Sequence, residues 1–284
     1  MKLSTPVRAI AAGCLSFSAF AAQAQTSIAE VEPGKIAYET CGTGDRAIVL
    51  LHDGILHAAA YDAVWPRLCR DFKVVRYDRR GYGRTPAATA PFASVDDLTT
   101  VMKAAGIEHA TLVGSSAGGG IAIDFALAHP QAVDGLVLAG PWVSGFKPSA
   151  GFIARSLKLI ALLKTGNLEG AVKDPYILSP SADAERAKVV ALLKANPQNL
   201  SGAGRNLERP GPDARPRLSE IRAPTLVLVG EVDIQDVFDQ AKAVAETIPH
   251  ATLETVPATG HFMYLEKPED FAERVAGFVD QEAP

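Results

Sequence analysis

Gly114-Ser115-Ser116-Ala117-Gly118 is the stretch that decides the fold. It fits G-x-S-x-G, and its setting gives the pattern meaning. The apolar run 110–113 leads in and reads as a buried strand; residues 117–128, rich in small side chains, lead away and read as a helix. Such a strand–turn–helix puts Ser116 on a sharp, strained turn. Gly114 and Gly118 let strand and helix approach closely. The turn also lifts the Ser116 hydroxyl to a helix N-terminus, where free N–H groups and the helix dipole favour negative charge. Ser115 has the wrong spacing to the glycines and is read as a bystander.

Outward from this turn, short β-branched runs alternate with longer helical patterns. Strands are expected over 47–51, 73–77, 110–113, 133–138, 225–229 and 252–255, and helices over 60–70, 94–105, 117–128, 237–248 and 268–280. That alternation predicts an α/β fold, a mostly parallel central sheet with helices on both faces. Several strands are apolar throughout, as strands buried on both faces must be. Between 138 and 225 the alternation stops. Helical patterns at 152–163 and 183–195 precede a Gly/Pro-rich stretch, 196–216. Residues 142–219 are therefore expected to form a helical cap over the strand ends, inserted into a body made of 25–141 and 220–284.

Residues 1–24 are set apart from the fold. Lys2 and Arg8, an Ala/Ser-rich apolar stretch and Ala22-Gln23-Ala24 make the pattern of a secretory signal peptide cut after Ala24. The stretch is shorter than the roughly 20 residues of a membrane span, so a periplasmic or secreted protein without stable membrane insertion is expected. The whole chain carries a net charge of −4, and loss of Lys2 and Arg8 takes it to −6. With no basic run there is no electrostatic reason to expect nucleic acid. Cys14 leaves with the signal; Cys41 and Cys69 could pair in an oxidising compartment, or equally serve as small buried hydrophobes. No metal-ligand spacing occurs, so neither metal nor other cofactor is expected.

Three further segments add to the Ser116 motif. They are Leu50-Leu51-His52-Asp53-Gly54, the run from Tyr77 to Thr85 through Asp78-Arg79-Arg80-Gly81-Tyr82-Gly83-Arg84, and Thr259-Gly260-His261-Phe262. Together they resemble the α/β-hydrolase superfamily, over about residues 34–279. The resemblance implies the α/β-hydrolase fold and a triad in the order Ser116, Asp233, His261. Ser116 would be the nucleophile and His261, in the loop after the last strand, the general base. Asp233, in Gly230-Glu231-Val232-Asp233, would orient the base, with Glu231 and Asp236 as non-catalytic neighbours. The rival position after the sixth strand, Ala139-Gly140-Pro141-Trp142, holds no carboxylate. His52 would support its own loop, His57 is assigned to the pocket mouth, and His109, His129 and His250 to the surface. Asp78, Arg80 and Gly83 read as structural.

The oxyanion hole is assigned to the backbone N–H groups of Ala117 and Gly54. Asp53 departs from the superfamily, which usually has glycine there. Either it turns away to cap its loop, the preferred reading, or it lines the pocket and selects a polar or cationic substrate. Tyr61, Trp142, Phe262 and Met263 are the other candidate substrate contacts, with Phe146 and Phe152 from the cap.

These readings converge on an exported serine hydrolase of small-molecule substrates, cleaving a small to medium carboxylic ester through an acyl-enzyme. A C–C bond hydrolase or lactonase would share the triad. An acyltransferase or a ligand-binding module would share the fold.

Overall fold

Eight strands pair into one sheet: β1 (Gln25–Glu30), β2 (Lys35–Cys41), β3 (Ala47–Leu51), β4 (Lys73–Tyr77), β5 (Ala110–Ser115), β6 (Val133–Ala139), β7 (Thr225–Gly230) and β8 (Ala251–Val256). The computed structural model describes residues 25–281. The expected signal peptide, 1–24, with Lys2, Arg8 and Cys14, lies outside the described residues. The spatial order is β1-β2-β4-β3-β5-β6-β7-β8. From β4 to β8 every neighbouring pair is parallel, while β1 with β2 and β2 with β4 run antiparallel. The six strands expected from the sequence are present, and β1 and β2 are additions. Their residues mix polar and apolar types, as suits the antiparallel edge.

Alternate residues of each parallel strand feed opposite faces. Ile48, Leu50, Val113, Val137, Leu226 and Leu228 pack on one side, and Val49, Leu51, Leu112, Leu138, Val227 and Val229 on the other. The helices among the described residues are α1 (Trp65–Cys69), α2 (Ser94–Ala104), α3 (Ala117–Ala128), α4 (Ala150–Lys164), α5 (Leu168–Ala171), α6 (Asp183–Ala195), α7 (Gln235–Thr247), α8 (Met263–Glu266) and α9 (Pro268–Gln281). α1 and α9 cover the first face; α2, α3 and α7 cover the second. The single helix expected over 60–70 is in fact a 3-10 turn, Ala58–Tyr61, followed by the five-residue α1. Pro66 explains the break, because proline fits only the first turn of a helix. Cys41 and Cys69 are joined by a disulfide, their Cα atoms 5.4 Å apart, which ties β2 to the end of α1.

Residues 140–224 hold α4, α5 and α6 and no strand. Their buried side chains, among them Leu159, Leu163, Ile177, Leu178, Val189 and Leu193, join the same apolar cluster as Leu56, Tyr61 and Phe262. The stretch after α6, which reads as slack, is tied down. Asn199 accepts from the Gly83 N–H at 3.0 Å and donates to the Ile55 carbonyl at 3.2 Å. Arg205 reaches the Gly54 carbonyl at 3.2 Å, and the Arg209 N–H donates to the Phe92 carbonyl at 2.8 Å.

Candidate active site

The direction of strand order reverses at β3, whose neighbours are β4 on one side and β5 on the other. In open α/β sheets, ligands collect at such a point, outside the carboxyl ends of the strands. Both Ser116 and the loop His52-Asp53-Gly54 lie there, because Leu51 of β3 pairs with Gly114 of β5. Ser116 has φ 52° and ψ −116°, a conformation that costs a non-glycine residue about 1–3 kcal/mol and needs the surroundings to hold it. Its N–H donates to the Ala139 carbonyl at 2.9 Å, and its carbonyl accepts from the Trp142 N–H at 3.0 Å. A Cβ on Gly114 would strike the backbone of Gly118 and Gly119, and one on Gly118 the Leu51 carbonyl. Both glycines therefore stand where strand and helix touch, the close approach read from their spacing.

Asp233 and His261 come from the turns after β7 and β8. Gly230 lets these turns press together, since a Cβ there would meet the Thr259 and Gly260 carbonyls. The Val232 N–H donates to the Thr259 carbonyl at 3.0 Å. His261 Nδ1 lies 2.8 Å from Asp233 Oδ2, and Asp233 Oδ1 accepts from the Ile234 N–H at 2.7 Å. The two side chains are 2% and 0% exposed, which protects this pair from water. A carboxylate accepts only, so Nδ1 carries the proton and Nε2 keeps its lone pair. Nε2 is buried and has no hydrogen-bond partner among the described residues. The neighbouring acids are otherwise engaged. Glu231 accepts from the Ala258 N–H at 2.8 Å, and Asp236 accepts from the Ser149 N–H and hydroxyl at 2.7 Å each.

Gly54 faces Ala117, and a Cβ on Gly54 would lie 3.8 Å from the Ala117 methyl group. Neither of their N–H groups donates to another described residue. Asp53 is 1% exposed and turned into its own loop. Its Oδ1 accepts from the Ile55 and Leu56 N–H groups at 2.7 and 2.9 Å, and its Oδ2 from the Tyr264 hydroxyl at 2.8 Å. The loop is capped in this way, and both carboxylate oxygens are occupied inside the body. Tyr61 and Met263 are also placed inside the body. Tyr61 is fully buried, stacked on Tyr264 at 4.7 Å, with its hydroxyl donating to the Leu51 carbonyl at 3.0 Å. Met263 is fully buried core. Phe262, 2% exposed, packs between His261 and Tyr264 and supports the imidazole.

The other histidines are accounted for by their partners. His52 Nδ1 donates to the Asp53 carbonyl at 2.8 Å, and its Nε2 accepts from the Arg79 N–H at 3.0 Å. Burial, then the charge of Arg79, holds its pKa well below the ordinary 6.5, so it is neutral and supports the loop. His57, assigned to the pocket mouth, is instead buried and clasped by Asn196 at 3.0 Å and Asn199 at 3.3 Å. His109, His129 and His250 are exposed. Asp78 binds the Ala58 and Arg84 N–H groups at 2.9 and 3.0 Å, and Arg80 pairs with Asp97 at 2.7 and 2.8 Å. Both are structural, as read.

The residue missed by sequence reasoning is Tyr176, between α5 and α6. Its ring lies 4.5 Å from that of His261. Phe152 meets it edge-on at 5.8 Å, and Trp142 stacks on Phe152 at 5.3 Å. Burial, then the Asp233 carboxylate, raises the phenol pKa, while Ser116 lowers it. Tyr176 therefore keeps its phenolic proton, with its ring against that of His261. Its segment is stitched to the histidine turn, with the Phe262 N–H donating to the Ile177 carbonyl at 3.2 Å and Glu266 accepting from both Ser179 and Gly260. Nothing local in the sequence marks a tyrosine 85 positions from the histidine it covers. Among the described residues no cluster of His, Cys, Asp or Glu is placed to hold a metal.

Residues 43–268 match the family described as serine aminopeptidase, S33. A putative carbamate hydrolase RutD of Caulobacter sp. (strain K31) is 32% identical over 259 residues, covering 84% of this chain and 92% of that protein. A 2-hydroxy-6-oxononadienedioate/2-hydroxy-6-oxononatrienedioate hydrolase of Burkholderia vietnamiensis is 28% identical over 270 residues, covering 86% and 91%. Among solved structures, Est816, described as an N-acyl homoserine lactone degrading enzyme, superposes with a TM-score of 0.71 at 28% identity. That superposition covers 89% of this chain and all of Est816.

Proposed function

Because the chain belongs to the serine aminopeptidase S33 family of α/β-hydrolases, we propose that it is an exported serine hydrolase cleaving small to medium carboxylic esters through an acyl-enzyme. The observation that carries the reading is the His261–Asp233 pair, with Nδ1 held at 2.8 Å and Nε2 buried and free, at the same strand-end face as the strained Ser116 turn. Ser116 Oγ attacks the carbonyl carbon while His261 Nε2 takes its proton. Asp233 keeps the imidazole in that tautomer and stabilises the imidazolium. The Ala117 and Gly54 amides receive the oxyanion. His261 then gives its proton to the leaving alcohol, and water repeats the sequence on the acyl-enzyme. Residues 142–219 serve as the cap, with Tyr176, Phe152 and Trp142 as the aromatic wall nearest the reacting atoms.

A lactone is a cyclic ester, so the activity named for Est816 is compatible with the same steps. The Burkholderia relative's name makes C–C cleavage the second reading. Export is supported by the pattern of residues 1–24 and by the Cys41–Cys69 disulfide, a bond that persists in oxidising compartments. The test is hydrolysis of p-nitrophenyl esters of increasing acyl length, with a lactone and a β-diketone alongside. Turnover of short and medium esters is expected, and Ser116→Ala should lower kcat at least about a thousandfold without loss of folding. Inertness toward every substrate would remove the ester reading, and an active Ser116→Ala the nucleophile.

A further inference from the structure

Helix α4 presents an outer face that a water-facing surface does not explain. Ile153, Leu157 and Ile160 are 48%, 63% and 47% exposed. At spacings of four and three residues they share one side of the helix. Three of the six large hydrophobics exposed among the described residues stand on this helix. The adjoining side is accounted for, with Leu159 and Leu163 in the core and Phe152 against Tyr176. α4 contains no acid at all. Lys158 and Lys164 lie within it and Lys147 just before it, all exposed, and none pairs with a carboxylate among the described residues.

Charge is segregated on a larger scale. Residues 142–219 carry twelve Lys and Arg against six Asp and Glu, a net +6. The rest of 25–284 carries fourteen against twenty-six, a net −12. An apolar ridge ringed by unpaired lysines, on a positive insertion in a negative body, is complementary to a surface that is anionic outside and apolar beneath.

We propose that the outer face of α4 seats on an anionic phospholipid surface, with Ile153, Leu157 and Ile160 entering the headgroup boundary and Lys147, Lys158 and Lys164 meeting the phosphates. The helix has 15 residues, too few to span a bilayer, and among the described residues no helix is long and apolar enough to cross one. It would lie in the interface plane, where binding combines buried apolar area with electrostatic attraction. The negative body would be repelled by the same surface and so turned away from it. Phe152, next to Ile153, packs edge-on against Tyr176, so the seated helix also carries part of the aromatic wall of the site.

The test is co-sedimentation with phosphatidylcholine vesicles, with and without phosphatidylglycerol. Two triple variants are compared with the parent in one background, so that residues 1–24 contribute equally. One is Ile153→Ser/Leu157→Ser/Ile160→Ser; the other is Lys147→Glu/Lys158→Glu/Lys164→Glu. The parent should bind anionic vesicles and release them as salt rises. Each triple variant should bind at least about tenfold more weakly, with unchanged melting temperature and unchanged turnover of a water-soluble ester. Equal binding by parent and variants, or none by the parent, overturns the proposal. So does a parent dimer on gel filtration that the serine variant dissolves, since a second copy then covers the face. None of these outcomes touches the triad.

Discussion

The strand-end turns of the body and the strand-free insertion between β6 and β7 are positioned by different kinds of force. At Ser116 the determinants are local and steric. A glycine two positions either side lets backbone meet backbone, and the strain at φ 52° is held by Ala139 and Trp142. In the insertion they are remote and polar. Asp236 caps the start of α4 through Ser149, Glu266 holds Ser179, and Asn199 bridges Gly83 and Ile55. Steric determinants leave a short signature in sequence, whereas polar tethers between residues about 90 to 140 positions apart leave none. The same contrast predicts how each region fails.

The largest effect should come from Gly118→Ala. The new methyl group would meet the Leu51 carbonyl, which belongs to the sheet and cannot step aside. A cost of about 3 kcal/mol or more is expected. A displaced Gly54–Ala117 pair should also lower kcat by at least about a hundredfold. Gly211→Ala in the insertion meets nothing within 4 Å and should change stability by less than about 0.5 kcal/mol. Thermal melts and ester kinetics on the two proteins settle the contrast; equal losses would erase it.

Next comes Asp53→Ala. It strands the Ile55 and Leu56 N–H groups and the Tyr264 hydroxyl in the interior, at about 1–3 kcal/mol for each group left unpaired. Because the turn it caps carries Gly54, kcat should fall more than KM rises. Asp53→Asn keeps the acceptor for both amides and should recover most of kcat. If asparagine rescues stability but not kcat, the carboxylate charge matters beyond the cap.

Asn199→Ala applies the same operation to the insertion. It frees the Gly83 N–H and the Ile55 carbonyl and should cost about 2 kcal/mol. The loss should appear in KM, since the tether touches neither Ser116 nor His261. A kcat loss as deep as that of Asp53→Ala would mean that insertion and body act as one unit.

How much was legible follows this division. The six parallel strands and the Ser116 turn follow from short patterns, and the pairing of His261 with Asp233 from the resemblance those patterns carry. β1 and β2 did not, because antiparallel strands need no continuous apolar run, and Lys35–Cys41 mixes polar and apolar residues between its two neighbours. The packing of Tyr61 and Met263 was not legible, because an aromatic or a methionine near a strand end looks alike whether it faces a ligand or a neighbour. Only the Leu51 carbonyl and the Tyr264 ring decide for Tyr61. Tyr176 was missed for the reason given by the tethers. Its place over His261 is set by α5, α6 and the Phe262–Ile177 bond, not by its own sequence context.

The smallest expected effect tests the seam between the two regions. Asp124 of α3 faces Ser144, where the chain leaves the body, and shares a cavity of about 210 Å³ with Glu208, Arg209 and Arg217, where it returns. Burial raises its carboxyl pKa from 3.8 to about 6. Between those values the folded chain holds a proton that the unfolded chain does not, so stability falls as pH rises through about 6. Asp124→Asn removes the ionisation. It should therefore raise the melting temperature at pH 8 and change it little near pH 4. His52 and His57 act in the opposite sense. Burial lowers their pKa values from 6.5, so protonation of the unfolded chain erodes stability as pH falls below that value. That slope is common to both proteins and cancels in the difference between them. A gain that is equal at both pH values would show that the amide improves packing at the seam; one confined to high pH would show a charge buried where the insertion meets the body.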